Sequence, residues 1–173
     1  MRIAMEAEHF QRAVGTDSIR WQCIPAFGRT LSGMTPFPVT ATPQTPGGDS
    51  PRLEYRMHLF HSGKVRVRAY CSPTLDFLNR KALRYAVSFD GEAPQVVDLW
   101  PDNSLRAWEQ AVGENIKTAE SEHAIPAAGG HILRFWMVDP GVVLQKIVVD
   151  TGGVQPSYLG PPESYYRAVT TPE

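Results

Sequence analysis

Two glutamates near the amino terminus, Glu6 and Glu8, have a spacing that suits metal binding. Side chains two positions apart on a β-strand project from one face, and residues 2–10 read as a strand. Asp150 ends the last strongly apolar segment and is the natural third carboxylate, while the loop from Gly28 to Gly33 can add backbone carbonyls. Oxygen-only ligands of this kind suit calcium. The alternative is an acidic strand edge facing solvent, and spacing alone favours that alternative.

Motifs of known catalytic chemistry are absent from the sequence. It contains no G-x-S-x-G, no H-E-x-x-H, no P-loop and no G-x-G-x-x-G. His58 and His61 are close, but one falls on a predicted strand and the other in a turn, which argues against a metal site. A carboxylate pair for glycoside hydrolysis must span a cleft, whereas the candidate aspartates mostly fall at strand ends or turns. These are Asp76, Asp90, Asp98, Asp102 and Asp139. We therefore predict no catalytic residues.

The composition is that of one globular domain. The chain has 173 residues, 42% of them apolar, and a formal net charge of -1, so it has no overall attraction to nucleic acid or an anionic membrane. No apolar run reaches 18 residues, so no transmembrane helix is predicted. The amino terminus lacks a signal peptide, so we expect a protein that is not exported or a piece of a longer one. Cys23 and Cys71 are expected to be buried free thiols, with pairing left open.

Alternation of apolar and polar side chains predicts antiparallel strands. It is clearest over 53–71 and continues over 83–89, where the turn Asp90-Gly91 leads to a return strand at 95–99. Further strands are expected at 2–10, 19–24, 117–125, 131–138 and 142–149, with a short helix at 103–116 that Asn103 or Ser104 caps. This pattern predicts an all-β antiparallel sandwich, most simply a jelly roll, over residues 1–153. Residues 154–173 are predicted to be an extended carboxy-terminal arm.

The first predicted hairpin has a definite register. A three-residue loop starting at His61 sets Leu59 opposite Val65 and keeps the apolar side chains on one face. In that register Arg56 faces Arg68 on the outer side, and like charges in such a pair destabilise it. The resulting basic face consists of Arg56, Arg66 and Arg68. It is either a solvated surface or a docking site for an acidic partner.

Three longer segments resemble a known family. L-R-Y-A-V-S-F-D-G-E-A-P-Q-V-V (83–97), W-M-V-D-P-G-V-V-L-Q-K-I-V-V-D-T-G-G (136–153) and P-S-Y-L-G-P-P-E-S (156–164) resemble the C-terminal domain of glycoside hydrolase family 115. Those enzymes are xylan α-1,2-glucuronidases. The M-E-A-E-H-F opening, the following Gly/Pro-rich loop and the last strand ending in Asp are also similar to carbohydrate-binding modules of families 6 and 35. The resemblance runs from about Ile3 to Ser164.

The resemblance implies a non-catalytic accessory domain, because the catalytic machinery of that family lies in other domains. The parent enzyme would be secreted or periplasmic. In the related modules a Glu pair on the first strand and an Asp ending the last help to hold a structural calcium, and Glu6, Glu8 and Asp150 match those positions. Related modules bind xylan, uronic acids or other plant polysaccharides through loops at one end of the sandwich.

Candidate sugar-binding residues lie mostly between positions 100 and 115. Sugar recognition uses an aromatic ring for the C–H face and polar groups for hydroxyls, and a uronate adds a demand for Arg or Lys. Trp100 is predicted to be the exposed ring. Trp108 is either exposed or buried by the helix, while Trp21 and Trp136 are expected in the core. The predicted set is Trp100, Asn103, Arg106, Trp108, Asn115 and Tyr158.

Two functions therefore stay open. The first is an accessory module that binds plant polysaccharide and whose other partners are the parent catalytic domains. The second is a structural or oligomerisation domain without sugar affinity, which docks through the arm and the basic face or forms a homodimer. An exposed aromatic strip at one end supports the first function, and a large exposed apolar patch supports the second.

Overall fold

The computed structural model describes residues 2–77, 79, 82–152 and 159–165. Within them the chain forms β1 (Arg2–Glu6), β2 (Arg12–Val14), β3 (Arg20–Ile24), β4 (Gly33–Phe37), β5 (Arg52–Leu59), β6 (Gly63–Cys71), β7 (Arg84–Phe89), β8 (Gln95–Asp98), α1 (Leu105–Glu114), β9 (Lys117–Ile125), β10 (Gly129–Met137) and β11 (Leu144–Asp150).

Two antiparallel sheets face each other across one core. Sheet A has the order β3-β4-β11-β6-β9, with β1 also paired to β11, and sheet B has the order β2-β5-β10-β7-β8. Alternate side chains of the longer strands enter the core, as the burial of Tyr55 and Met57 around exposed Arg56 illustrates. The predicted antiparallel β-sandwich with one short helix is therefore confirmed. Cys23 and Cys71 are both free, but Cys23 is exposed rather than buried.

The predicted hairpin register is wrong, because β5 and β6 lie in different sheets. β5 pairs with β2 and β10, whereas β6 pairs with β11 and β9. Alternation shows that one face of each strand is buried, and two strands in facing sheets satisfy that pattern as well as two strands in one sheet. Arg56 and Arg68 therefore project from the outer faces of opposite sheets.

The predicted basic face is consequently not one surface. Arg68 lies opposite Glu120 on β9, and its Nε donates to Glu120 Oε1 at 2.6 Å. Arg66 forms longer ion pairs with Glu120 at 3.3 Å and Glu122 at 3.7 Å. Carboxylates of the same sheet thus neutralise two of the three arginines.

Helix α1 connects the two sheets at one end of the sandwich. Of the two predicted caps, Ser104 begins the helix, and its side chain accepts a hydrogen bond from the Ala107 amide. Asn115 ends it with a φ of 52°, a left-handed conformation that Asn tolerates well. Among the described residues no helix is long and apolar enough to cross a membrane.

Five connections meet at this end of the sandwich, which we call the loop end. They join β2 to β3, β4 to β5, β6 to β7, β8 to β9 through α1, and β10 to β11. Each crosses from one sheet to the other, so side chains from connections of both sheets are neighbours here.

The described part of the predicted arm packs against sheet A. Ser164 donates its backbone N–H to the Ala4 carbonyl at 2.9 Å and accepts the Ala4 N–H on its hydroxyl at 3.1 Å. Gly160 lies against the ring of Tyr70. Residues 159–165 therefore cover a small outer cluster that includes Ala4, Tyr70 and Val148.

Candidate functional site

A groove of about 480 Å³ opens at the loop end, and we call it the aromatic groove. Strands β3 and β4, helix α1 and the loops that precede β7 and β11 form its walls. The lining residues are Gln22, Ile24, Thr35, Phe37, Val39, Thr74, Leu75, Phe77, Trp108, Gly141 and Val143. Its volume falls within the range of small-molecule sites.

Three aromatic rings border the aromatic groove. Phe37 is 37% exposed and Phe77 is 53% exposed, and the ring of Trp108 on α1 is half-buried. Aromatic side chains that face solvent in a concave site are suited to the apolar C–H faces of sugar rings. The groove therefore holds a platform made of side chains from three separate segments.

The polar side chains of the groove are mostly committed to the backbone. The Thr35 hydroxyl donates to the Val142 carbonyl at 3.0 Å, and the Thr74 hydroxyl donates to the Gly141 carbonyl at 2.8 Å. Gln22 is exposed and lies on the groove wall. Its amide, which has both donors and an acceptor, is the best placed group for a ligand hydroxyl.

Close packing at the groove depends on Gly141. Its φ is 96°, and a Cβ at this position would lie 2.8 Å from the Phe77 ring. A side chain here would be strained by the backbone and would push Phe77 outward. Glycine at this position therefore sets where the Phe77 ring sits.

Trp100 supports the groove without lining it. Its Nε1 donates to the Thr74 carbonyl at 2.9 Å, and its ring packs 5.4 Å from the ring of Trp108. The ammonium of Lys117 lies 4.6 Å from the centroid of the Trp100 ring. The Trp100 side chain is partly buried against the core. Trp100 thus positions Trp108 and the loop that carries Thr74.

The other predicted sugar ligands lie outside the groove. Asn103 and Arg106 are exposed at the start of α1, and Asn115 is the helix C-cap. Tyr158 lies outside the described residues. The sequence pattern did not predict Phe37 and Phe77, because both come from segments without periodicity. Their only signal is an aromatic residue among turn residues. It becomes informative once the topology places the end of β4, with Phe37, and the connection after β6, with Phe77, at this end.

A second depression of about 260 Å³ adjoins the groove and shares Phe37 with it. We call it the polar pocket, and it is lined by Thr16, Asp17, Ser18, Ile19, Arg20, Phe37 and Pro38. The Arg20 guanidinium lies 5.6 Å from the centroid of the Phe37 ring. The Thr16 hydroxyl accepts the Ile19 N–H at 3.1 Å, and the Thr16 N–H donates to the Ile19 carbonyl at 2.8 Å. These bonds preorganise the pocket.

The three predicted calcium ligands are not brought together. In the register of β1 with β11, Glu6 lies opposite Lys146, whereas Asp150 lies opposite Arg2 at the other end of β1. Four residues of strand separate the two positions by about 13 Å. Glu8 follows the end of β1. The described residues contain no group of three or more His, Cys, Asp or Glu that could hold a metal ion. The predicted ligand set does not fit one ion, and calcium binding itself stays a prediction.

Ser121, His123 and Glu92 have the connectivity of a catalytic triad. His123 Nε2 is 2.8 Å from Ser121 Oγ, and His123 Nδ1 is 2.7 Å from Glu92 Oε2. The His123 side chain is fully buried, however, and its ring packs edge-on against Phe89. None of the three residues lines the aromatic groove or the polar pocket. The arrangement is a buried polar network that ties β9 to the turn after β7.

Solved structures with this fold include carbohydrate-binding modules. A family 35 module from Clostridium thermocellum has a TM-score of 0.56 at 13% identity over 84% of this chain and 96% of that one. The C-terminal family 6 module of LamC, a laminarinase from Zobellia galactanivorans, has a TM-score of 0.55 at 11% identity over 86% and 98% of the two chains. The chain thus has the β-sandwich fold of these modules.

The family follows from the sequence itself. The glycosyl hydrolase family 115 C-terminal domain matches residues 2–163, and the chain belongs to this family. A family GH115 4-O-methyl-α-glucuronidase with specificity for decorated arabinogalactans, BtGH115A, has a TM-score of 0.66 at 16% identity. The likeness covers 87% of this chain but only 17% of that enzyme. No curated protein matches the sequence.

Proposed function

We propose that this domain is a non-catalytic carbohydrate-binding module of a family 115 glycoside hydrolase, and that the aromatic groove binds the polysaccharide. The observation that carries the proposal is the convergence of Phe37, Phe77 and Trp108 on one groove at the loop end. Stacking on such rings supplies binding energy at any unit of a repeating polymer, because every sugar unit presents an apolar face.

The polar pocket extends this proposal to an acidic glycan. A polysaccharide that lies along the groove would pass Phe37 and reach Arg20. The Arg20 guanidinium can bind a carboxylate through two parallel hydrogen bonds. We propose glucuronoxylan as the ligand, with the sugar ring on the platform and the uronate beside Arg20. Asn103, Arg106, Asn115 and Tyr158 are secondary candidates for contacts beyond the groove.

The role in the parent enzyme follows from this binding. A module held on plant cell-wall polysaccharide raises the effective concentration of the attached catalytic domains at their substrate. Because such polymers lie outside the cell, we propose that the parent enzyme is secreted or periplasmic.

Affinity electrophoresis tests the proposal. The domain is run through gels that contain glucuronoxylan, arabinoxylan, pectin or β-glucan. Phe77→Ala and Trp108→Ala should each weaken retention on glucuronoxylan by about tenfold, which corresponds to the loss of about 1.4 kcal/mol. Phe60→Ala is the matched control, because Phe60 is 65% exposed and lies at the opposite end of the sandwich. Lack of retention of the wild type by every polysaccharide would end the proposal.

Arg20→Gln tests the acidic ligand separately. It should weaken retention on glucuronoxylan while leaving retention on unsubstituted xylan unchanged, and added salt should shrink the difference. Equal loss on both polymers would assign Arg20 to the sugar backbone rather than to the uronate.

The same groove supports a second candidate function, namely docking on the parent enzyme or on a second copy of the domain. Leu75 is 60% exposed and Val39 is 39% exposed, so part of the lining is aliphatic and cannot form hydrogen bonds with sugar hydroxyl groups. Sedimentation of the wild type and of Leu75→Ser would test self-association. A dimer lost in Leu75→Ser, together with no polysaccharide retention, would favour this structural function.

A further inference from the structure

A buried ammonium group joins three parts of the chain. Lys146 lies on β11, and its side chain is 4% exposed. Its Nζ is 3.0 Å from Glu6 Oε1 on β1 and 3.3 Å from the carbonyl oxygens of Leu159 and Pro161. An ammonium has three N–H donors, and three oxygen acceptors surround this one.

Both oxygens of the Glu6 carboxylate have hydrogen-bonding partners within the same cluster. The carboxylate is as deeply buried as Lys146, and the hydroxyl of Thr30 lies 2.7 Å and 2.8 Å from its two oxygens. The distances of 3.0–3.3 Å around Nζ are those of N–H···O contacts. The ammonium therefore already occupies the centre of this oxygen cluster, and its three acceptors are in use.

The neighbouring residue of β11 adds no negative charge. Gln145 accepts the Arg29 backbone N–H on its side-chain oxygen at 2.9 Å, and its amide nitrogen donates to Ser72 Oγ at 2.8 Å. Opposite the Glu6 end of β1, strand β11 thus provides the amide of Gln145 and the ammonium of Lys146. A divalent ion bound here would lie next to the ammonium, with the buried carboxylate of Glu6 already paired.

We infer that the ammonium of Lys146 is the structural cation of this domain, in the role that the family resemblance gave to calcium. It neutralises Glu6 and anchors residues 159–161 to sheet A. Glu163 extends the attachment, because its Oε1 accepts the backbone N–H of Glu6 at 3.0 Å. The domain should consequently fold and hold its carboxy-terminal segment without calcium.

Thermal unfolding with chelator or with added calcium tests the inference on the intact chain. The melting temperature should be the same in both conditions. A lower melting temperature in chelator that calcium restores would overturn the inference.

Amine labelling provides a second readout that needs no variant. The sequence has four lysines, Lys64, Lys81, Lys117 and Lys146, so mass spectrometry can follow each one. Lys146 should resist acylation while exposed Lys64 reacts, and chelator should not change that protection. Rapid acylation of Lys146 in the folded domain would overturn the inference.

Substitutions separate charge from packing. Lys146→Met keeps most of the side-chain volume but leaves Glu6 buried without its cation, and should lower the melting temperature by roughly 6–12 °C. Adding Glu6→Gln to Lys146→Met should restore part of the loss, whereas the control Lys64→Met should have little effect. A Lys146→Met variant as stable as the wild type would contradict the inference. If that variant does not fold, the chelator and labelling measurements still decide.

Discussion

Trp100 and Trp108 are neighbours in space with different environments. Trp100 is held by a hydrogen bond from its indole to the Thr74 carbonyl and packs against the core, whereas Trp108 faces the aromatic groove. An indole that packs against the core and donates one hydrogen bond contributes mainly to stability, and a ring on a groove wall contributes mainly to binding. Replacing each tryptophan with alanine should therefore lower the free energy of unfolding by different amounts at the two positions.

Trp100→Ala should lower the free energy of unfolding by about 2–4 kcal/mol, slightly below the cost for a fully buried tryptophan. Trp108→Ala should lower it by less than half as much. Urea denaturation of both variants provides the comparison. Equal midpoints for Trp100→Ala and the wild type would show that Trp100 is not a supporting residue.

His131 has an oxygen acceptor beside each of its ring nitrogens. Its Nδ1 is 2.7 Å from Asp90 Oδ2 and its Nε2 is 2.9 Å from the Ala127 carbonyl, so only the protonated ring can donate to both. The side-chain hydrogen bond with Asp90 is the main cause that raises the pKa of His131 above its ordinary value. Burial tends to raise the pKa of Asp90, but the Ile132 N–H, His131 and Arg134 together bring it below its ordinary value.

The pair should make stability depend on pH. The contribution of His131 is fully present below about pH 6.5 and is lost as the pH rises through its raised pKa in the folded state. The contribution of Asp90 is present above about pH 4 and is lost as the pH falls. Urea unfolding should therefore show a loss of stability from pH 6 to pH 8.5 that is smaller in Asp90→Asn. Asn tolerates the φ of 45° at this position, so the turn is kept.

At the scale of elements, the sequence predicted most strands and the hairpin of β7 with β8, but it gave β5 and β6 the wrong partners. The alternation over 53–71 correctly indicated which side chains of β5 and β6 are buried, yet it could not tell one sheet from two facing sheets. β2 and β4 were missed because they are short and lie among turn residues, and β4 contains Pro36. Helix α1 was predicted because its apolar spacing and its Ser104 cap are local signals.

The observed pairing of β6 with β9 changes the sign expected for Arg68→Thr. The wrong register placed Arg68 opposite Arg56, so removing it should have relieved repulsion. Because Arg68 instead faces Glu120, the substitution should lower the free energy of unfolding by about 0.2–1 kcal/mol, and less at high salt. A double-mutant cycle with Glu120→Gln measures the pair directly. A stabilised Arg68→Thr variant would contradict the observed pairing.

At the scale of the whole molecule, the site is a product of topology. Trp108 could be predicted because it lies near other aromatic and polar residues in the sequence. Phe37 and Phe77 are 40 positions apart, and only the crossing of the loops from one sheet to the other brings them together. The calcium prediction had a similar limit, since spacing cannot show that the antiparallel register puts Asp150 at the far end of β1 from Glu6.

The carboxy-terminal segment completes the domain, and its removal should show this. A chain that ends at Gly152 deprives Lys146 of two acceptors and Ala4 of its two hydrogen bonds with Ser164. The lost hydrogen bonds and the uncovered ring of Tyr70 should together lower the free energy of unfolding by about 2–4 kcal/mol. A chain that ends at Tyr165 keeps these contacts and is the matched control. Urea denaturation of both chains measures the difference, and equal stability would mean that sheet A needs no cover.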